Sequence, residues 1–143
     1  MNKIWYTLKN DKAAPFLEGV ICVGNSSFYY YKETIQKSID AFNRNVEWKD
    51  MWDLTQAKER LIKGDVLFIG TDYQGEPLAH VWFDKNYLYN AFVDPRRPDG
   101  YSKKFIQFVV QYIYSDTIEL YCDDWNIKAQ NLFEKVGFTK KYS

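Results

Sequence analysis

The 143-residue chain predicts one domain of the α/β (α+β) class: a mixed, mostly antiparallel sheet with helices on both faces. Two patterns carry that prediction. Apolar residues recur at helical spacing through the first part of the chain and change to strand-like runs at VLFIG, residues 66–70. Three strand patterns then follow one another over short links, whereas the next strand comes only after a helix, which predicts parallel pairing with the strand before it.

The elements follow in order. A first strand is predicted over 3–8. A helix over 28–42 carries the stripe Phe28, Tyr31, Ile35, Ile39 and Phe42, with Ser26 or Ser27 able to cap it. A second, over 49–63, puts Leu54, Ala57, Leu61 and Ile62 on one side and stops at Gly64. The meander consists of strands over 66–70, 78–84 and 87–93, turning at Gln74-Gly75 and at the DKN of Asp84 to Asn86. Then come the loop PRRPDG, a helix over 101–114 facing inward through Phe105, Ile106, Val109 and Ile113, and a strand over 117–122. NIKAQNLFEKVGF supplies the last helix: Asn126 caps it, Ala129, Leu132, Phe133 and Val136 form its stripe, and Gly137 ends it with Phe138 folding back. One short strand over 139–142 closes the chain.

Nineteen basic and nineteen acidic side chains cancel, which argues against a nucleic-acid binder and a polybasic membrane-surface protein. Aromatic residues make up 19% of the chain, enough to fill a core and also to line a cleft. Cys22 and Cys122 lie far apart and outside any CxxC pair, so neither a disulfide framework nor a metal site is expected. The first ten residues lack the apolar run of a signal peptide, and no run approaches the ~20 residues of a membrane span. A soluble, cytoplasmic protein is expected.

Two segments could carry chemistry. VDPRRPDGYSKK, residues 93–104, joins a strand end to a helix start, where unpaired backbone N–H groups and the positive end of the helix dipole favour a phosphate. Gly100 permits close approach, Ser102 is small, and Arg97, Lys103 and Lys104 add charge. An ordinary strand-to-helix connection with solvated basic residues would read the same way. The second segment is the Asn126 helix, for which capping alone is a sufficient reading.

Taken together, Val93-x-Pro95, Arg97-x-x-Gly100-x-Ser102 and Asn126-x-x-Ala129 followed by Leu132-Phe133-Glu134-Lys135-Val136-Gly137-Phe138 resemble the GNAT superfamily of N-acetyltransferases. The resemblance implies a GNAT-like sheet with truncated C-terminal strands and acetyl-coenzyme A as cofactor. It implies that Phe92, Val93, Arg97, Asp99, Gly100, Tyr101, Ser102 and Lys103 wrap the pyrophosphate, and that Asn126 and Phe133 border the pantetheine arm. Ser102 stands where the family has Gly or Ala, and the loop from Pro95 to Arg97 is one residue shorter than usual. Phe133 stands where many members have a tyrosine that protonates the leaving thiolate, and Tyr87 stands near the place of a carboxylate base. The short C-terminus leaves room for a second copy to complete the sheet edge.

The activity implied is acetyl transfer to a primary amine, of a small molecule or a protein, by direct attack. Candidates to take the amine's proton are His80, Glu119, Tyr121 and Asp84; Glu119 and Tyr121 share one face of their strand. The other reading is a GNAT-like domain that binds acyl-coenzyme A, or a protein partner, without turnover.

Overall fold

The computed structural model describes residues 3–9, 17–113 and 115–141. Seven strands form one sheet: β1 (Lys3–Lys9), β2 (Val20–Val23), β3 (Val66–Thr71), β4 (Pro77–Asp84), β5 (Tyr87–Val93), β6 (Thr117–Asp123) and β7 (Thr139–Lys140). The helices are α1 (Lys32–Asn43), α2 (Leu54–Lys63), α3 (Tyr101–Gln111) and α4 (Ile127–Val136). The sheet order is β2-β3-β4-β5-β6-β1-β7, and every pairing is antiparallel except β5 with β6. The mixed, mostly antiparallel sheet, the meander and the parallel pair are therefore as predicted.

Helices α3 and α4 cover one face with Phe105, Ile106, Val109 and Phe133, packed on Tyr6, Phe68, Val81, Leu88 and Leu120. On the other face, α1 and α2 pack Ile35, Ile39, Ala57 and Leu61 on Val23, Leu67, Ile69 and Trp82. Strand alternation explains the division, since Val81 and Trp82 are neighbours that point to opposite faces.

Several boundaries move for identifiable reasons. Helix α1 begins at Lys32, because residues Asn25–Ser27 form a 3-10 turn in which the Ser27 hydroxyl bonds back to the Gly24 N–H at 3.1 Å. Helix α2 begins at Leu54, because Asp53 caps it by accepting from the Gln56 N–H at 2.8 Å while Gln56 returns the bond. Ile62, expected on the inward side of α2, is exposed, and Leu61 takes the buried place. Strand β2 was not predicted: four residues are too few for a period to register. Tyr114, placed at the end of the third helix, and Tyr142, placed at the end of the last strand, lie outside the described residues.

Strand β1 lies beside β6, pairing with it from Lys3↔Asp123 to Lys9↔Thr117, and the two-residue β7 pairs with the far side of β1 at the end of the sheet. No helix among the described residues is long and apolar enough to cross a membrane.

Candidate active site

A cleft opens where β5 and β6 part. They pair only at Tyr87↔Glu119 and Leu88↔Leu120, so the remainder of each strand lacks the other as a neighbour. Opposite the gap, β4 and β5 go out of step: His80 faces Phe92 and Trp82 faces Tyr89, so Asn90 and Ala91 together oppose Val81 in a β-bulge. Asn90 has a φ of +52°, a left-handed conformation that asparagine tolerates better than most residues. A cavity of about 40 Å³ lies in the gap, lined by Val81, Asn90, Ala91, Tyr121 and Phe133, among others.

The bulge is held from the α1 side by a buried chain of hydrogen bonds. His80 Nε2–H donates to Asn90 Oδ1 at 3.1 Å, which leaves Nδ1 to accept from the Ser38 hydroxyl at 2.8 Å. His80 is 4% exposed, between the rings of Phe42 and Phe92. Burial pushes its pKa down to about 4, against the opposing effect of the Asn90 bond, so the imidazole is neutral at pH 7.

At the far end of β5, the chain enters the loop to α3. The Asp94 carboxylate is buried and accepts from the Arg96 backbone N–H at 2.8 Å and from its guanidinium at 2.9 and 3.0 Å. The arginine's bonds hold that carboxyl below its ordinary range. Gly100 precedes α3 at a φ of +78°, and no side chain caps the helix. Beyond the Tyr101 N–H, which Pro98 O accepts, the first-turn N–H groups of Ser102 and Lys103 have no capping side chain, and a Cβ at Gly100 would meet no atom within 4 Å. Arg97 Nε donates to Ser102 Oγ at 3.2 Å, which sets the guanidinium over the same turn. An anion would find backbone donors, a helix dipole and a cation together here.

Phe92 and Val93 end β5, and Asp99, Gly100, Ser102 and Lys103 surround the α3 start. Tyr101 does not present its side chain there: its ring is buried, stacks on Phe105 and points at Gly70. Its backbone N–H is taken by Pro98 O at 3.2 Å. Asn126 Oδ1 accepts from the Ala129 N–H at 3.2 Å and caps α4. Phe133 is buried between Tyr6 and Phe138, at 6.2 and 6.1 Å between ring centroids, with one edge on the cavity.

The base candidates are scattered. Glu119 bonds Lys141 Nζ at 2.9 Å, Asp84 accepts from the Tyr87 hydroxyl at 3.0 Å, and only Tyr121 of the four lines the cavity. Sequence reasoning missed Asn90, Asp94, Ser38 and Gln130, whose side-chain amide donates to Asp124 O at 2.9 Å and ties α4 to the end of β6. Asn90 was the most findable, since asparagine is a poor strand former in YLYNAFV. Among the described residues no His, Cys, Asp and Glu cluster could hold a metal, and both cysteines are free.

No protein-family model and no curated protein sequence matches the chain. Solved structures do match it. One is a GNAT-family protein from Novosphingobium aromaticivorans, at 12% identity and a TM-score of 0.61, covering 97% of this chain and 59% of that one. An aminoglycoside acetyltransferase from an uncultured soil sample, solved with sisomicin, matches at 14% identity and 0.62, covering 87% and 90%. A GCN5-related N-acetyltransferase from Ralstonia eutropha matches at 16% identity and 0.52, covering 87% and 95%. The chain spans 47% and 57% of the length of two further matching structures, which it covers to 97% of its own length. At such identities these likenesses show a GNAT-like fold.

Proposed function

We propose that the protein is an N-acetyltransferase that uses acetyl-coenzyme A and acetylates a primary amine by direct attack. The observation that carries this reading is the alignment of two features along β5: the gap from β6 with its bulge, and the uncapped α3 start at the strand's end. A long ligand with an anionic middle and a thioester tip would lie along such a path.

In this reading the α3 N–H groups, Gly100, Arg97 and Lys103 hold the pyrophosphate. Asn126 caps α4 beside the arm, and Phe133 packs against the thioester end. Acetyl-coenzyme A supplies the activated acyl group. The neutral amine forms the C–N bond as the C–S bond breaks; the amine's proton goes to water and the departing thiolate takes one from water. Orientation of the two reactants supplies much of the rate. His80 serves as a positioning residue: its bond to Asn90 keeps the bulge in place.

A second reading is favoured by one observation. Phe133 has no proton to give, so the domain could bind acyl-coenzyme A without turning it over. Thiol release from acetyl-coenzyme A, followed with a panel of amines, separates the two. Amine-dependent release well above hydrolysis supports the transferase, and calorimetric binding without release supports the binder.

A further inference from the structure

The face of the sheet opposite α3 and α4 is only half covered. Helices α1 and α2 lie over β2, β3 and β4, and the part formed by β5, β6 and β1 carries no helix among the described residues. The residues presented there follow from register. Trp5 stands directly opposite Tyr121 and Glu119 opposite Tyr87, and Tyr6, the neighbour of Trp5, points into the α3/α4 core.

Trp5 and Tyr121 are 40% and 39% exposed and touch, with ring centroids 5.0 Å apart. Tyr121 also lines the cavity in the gap, on the side opposite Phe133. Tyr87 and Tyr89 continue the row, 6.1 Å apart. The row of rings on the open face therefore adjoins, through Tyr121 and Tyr89, the cavity where the reading above puts the thioester.

Charge decides what this row of rings fits. Among the described residues, Asp65, Asp84, Glu119 and Asp123 on this side each already hold one of the chain's own cations. Lys3 Nζ lies 5.1 Å over the Tyr121 ring and bonds Asp123 at 2.6 Å. Arg60 lies 5.8 and 5.6 Å from the rings of Trp52 and Tyr89. Lys63 sits 3.7 Å from Asp65 and 3.6 Å from Asp84, and Lys141 pairs with Glu119. The exposed ring surface of Trp5, with the part of Tyr121 that Lys3 leaves uncovered, carries no excess negative charge among the described residues, which rewards stacking and offers little to a polycation.

Resting on the acetyltransferase reading, we propose that the acceptor is an aromatic monoamine, with one amino group on or beside a flat ring and no second cationic centre, and that Trp5 with Tyr121 recognises the ring. Trp5 is a specificity residue contributed by the N-terminal strand, because β1 is the neighbour of β6.

The test measures thiol release with tryptamine and 4-methoxyaniline against spermidine and sisomicin, in wild type, Trp5→Thr and Trp5→Phe. At least one of the aromatic monoamines is expected to be preferred in kcat/KM, by about tenfold, the scale of one good ring contact. Trp5→Thr, which retains strand propensity, should raise its KM by about the same factor, leave kcat within about twofold and leave acetyl-coenzyme A affinity unchanged, while Trp5→Phe recovers most of the loss. Preference for spermidine or sisomicin, or a Trp5→Thr protein equal to wild type, would overturn the proposal. Calorimetric titration of the same amines without acetyl-coenzyme A keeps the two claims apart. Should acetyl-coenzyme A not bind, the transferase reading fails; tryptamine or 4-methoxyaniline binding that depends on Trp5 would still support the ring site, and absence of such binding would overturn it.

Discussion

At the scale of single residues, the charge state of His80 has a measurable consequence. Its pKa falls from 6.5 to about 4 on folding, because burial disfavours the imidazolium. The unfolded chain therefore takes up a proton first as pH drops, and stability present above pH 6.5 is lost as pH falls toward 4. Urea midpoints for wild type and His80→Gln should converge across that window, with the wild type losing on the order of 3 kcal/mol more than the variant. Parallel pH dependences would show that His80 takes up its proton as readily in the folded protein as in the unfolded chain. Phe133 makes the second prediction at this scale. Phe133→Ala removes a buried ring and should cost roughly 3 kcal/mol or more, so its activity would report packing rather than chemistry. Phe133→Tyr retains the ring and should leave acetyl-coenzyme A affinity nearly unchanged, with turnover equal or raised by up to the ~10²–10⁴-fold that a positioned acid contributes. A Tyr variant slower than wild type, with intact affinity, would show that the cavity beside Phe133 does not receive the thiolate.

At the scale of elements, helix α3 is placed by a contact with β3 that has no spare room. Gly70 passes beneath Tyr101 so closely that a Cβ there would lie 2.1 Å from the tyrosine hydroxyl and 3.0 Å from Phe105. That hydroxyl is buried without a hydrogen-bond partner among the described residues, and burial pushes its pKa up to about 12. Gly70→Ala should therefore destabilise by about 1–3 kcal/mol, the usual range for overpacking. Tyr101→Phe alone should be near neutral and should recover part of the Gly70→Ala loss, a non-additivity that a double-mutant cycle reads directly. Strict additivity would mean that the two residues do not meet.

The same scale shows what the sequence made legible. Long periodic stretches were readable: the stripes of α1, α3 and α4 and the three meander strands fell where apolar spacing put them, with Ile35, Ile39 and Phe42 of α1 buried and Phe28 buried in the turn before it. Helix starts were less readable, since Asp53 and the Ser27 turn won over propensity upstream of α2 and α1. The α3 start was readable because glycine after a proline-rich loop has few other uses. The bulge was not, because a register shift depends on which residue of the partner strand stands opposite. Nor was the place of β1, since local sequence says nothing about which distant strand accepts it.

At the scale of the whole molecule, the fold divides the work between its two ends and its two faces. Strand β5 runs from the aromatic hairpin at Tyr87 to the loop at Asp94, with the bulge partway along it. The α3/α4 face carries Phe133 and the uncapped α3 turn, and the open face carries Tyr121 and Trp5. In the function proposed above, a pyrophosphate-bearing acyl carrier lies along β5 with its phosphates on the α3 turn. Titrating acetyl-coenzyme A calorimetrically into wild type and Gly100→Val tests it most directly. The variant should stay folded, as a Cβ at Gly100 meets no atom within 4 Å beyond its chain neighbours and the positive φ costs a valine roughly 1–2 kcal/mol. Saturable one-to-one binding by wild type and at least tenfold weaker binding by the folded variant are expected; absence of heat with wild type, or equal affinity for both proteins, would overturn this placement of the phosphates.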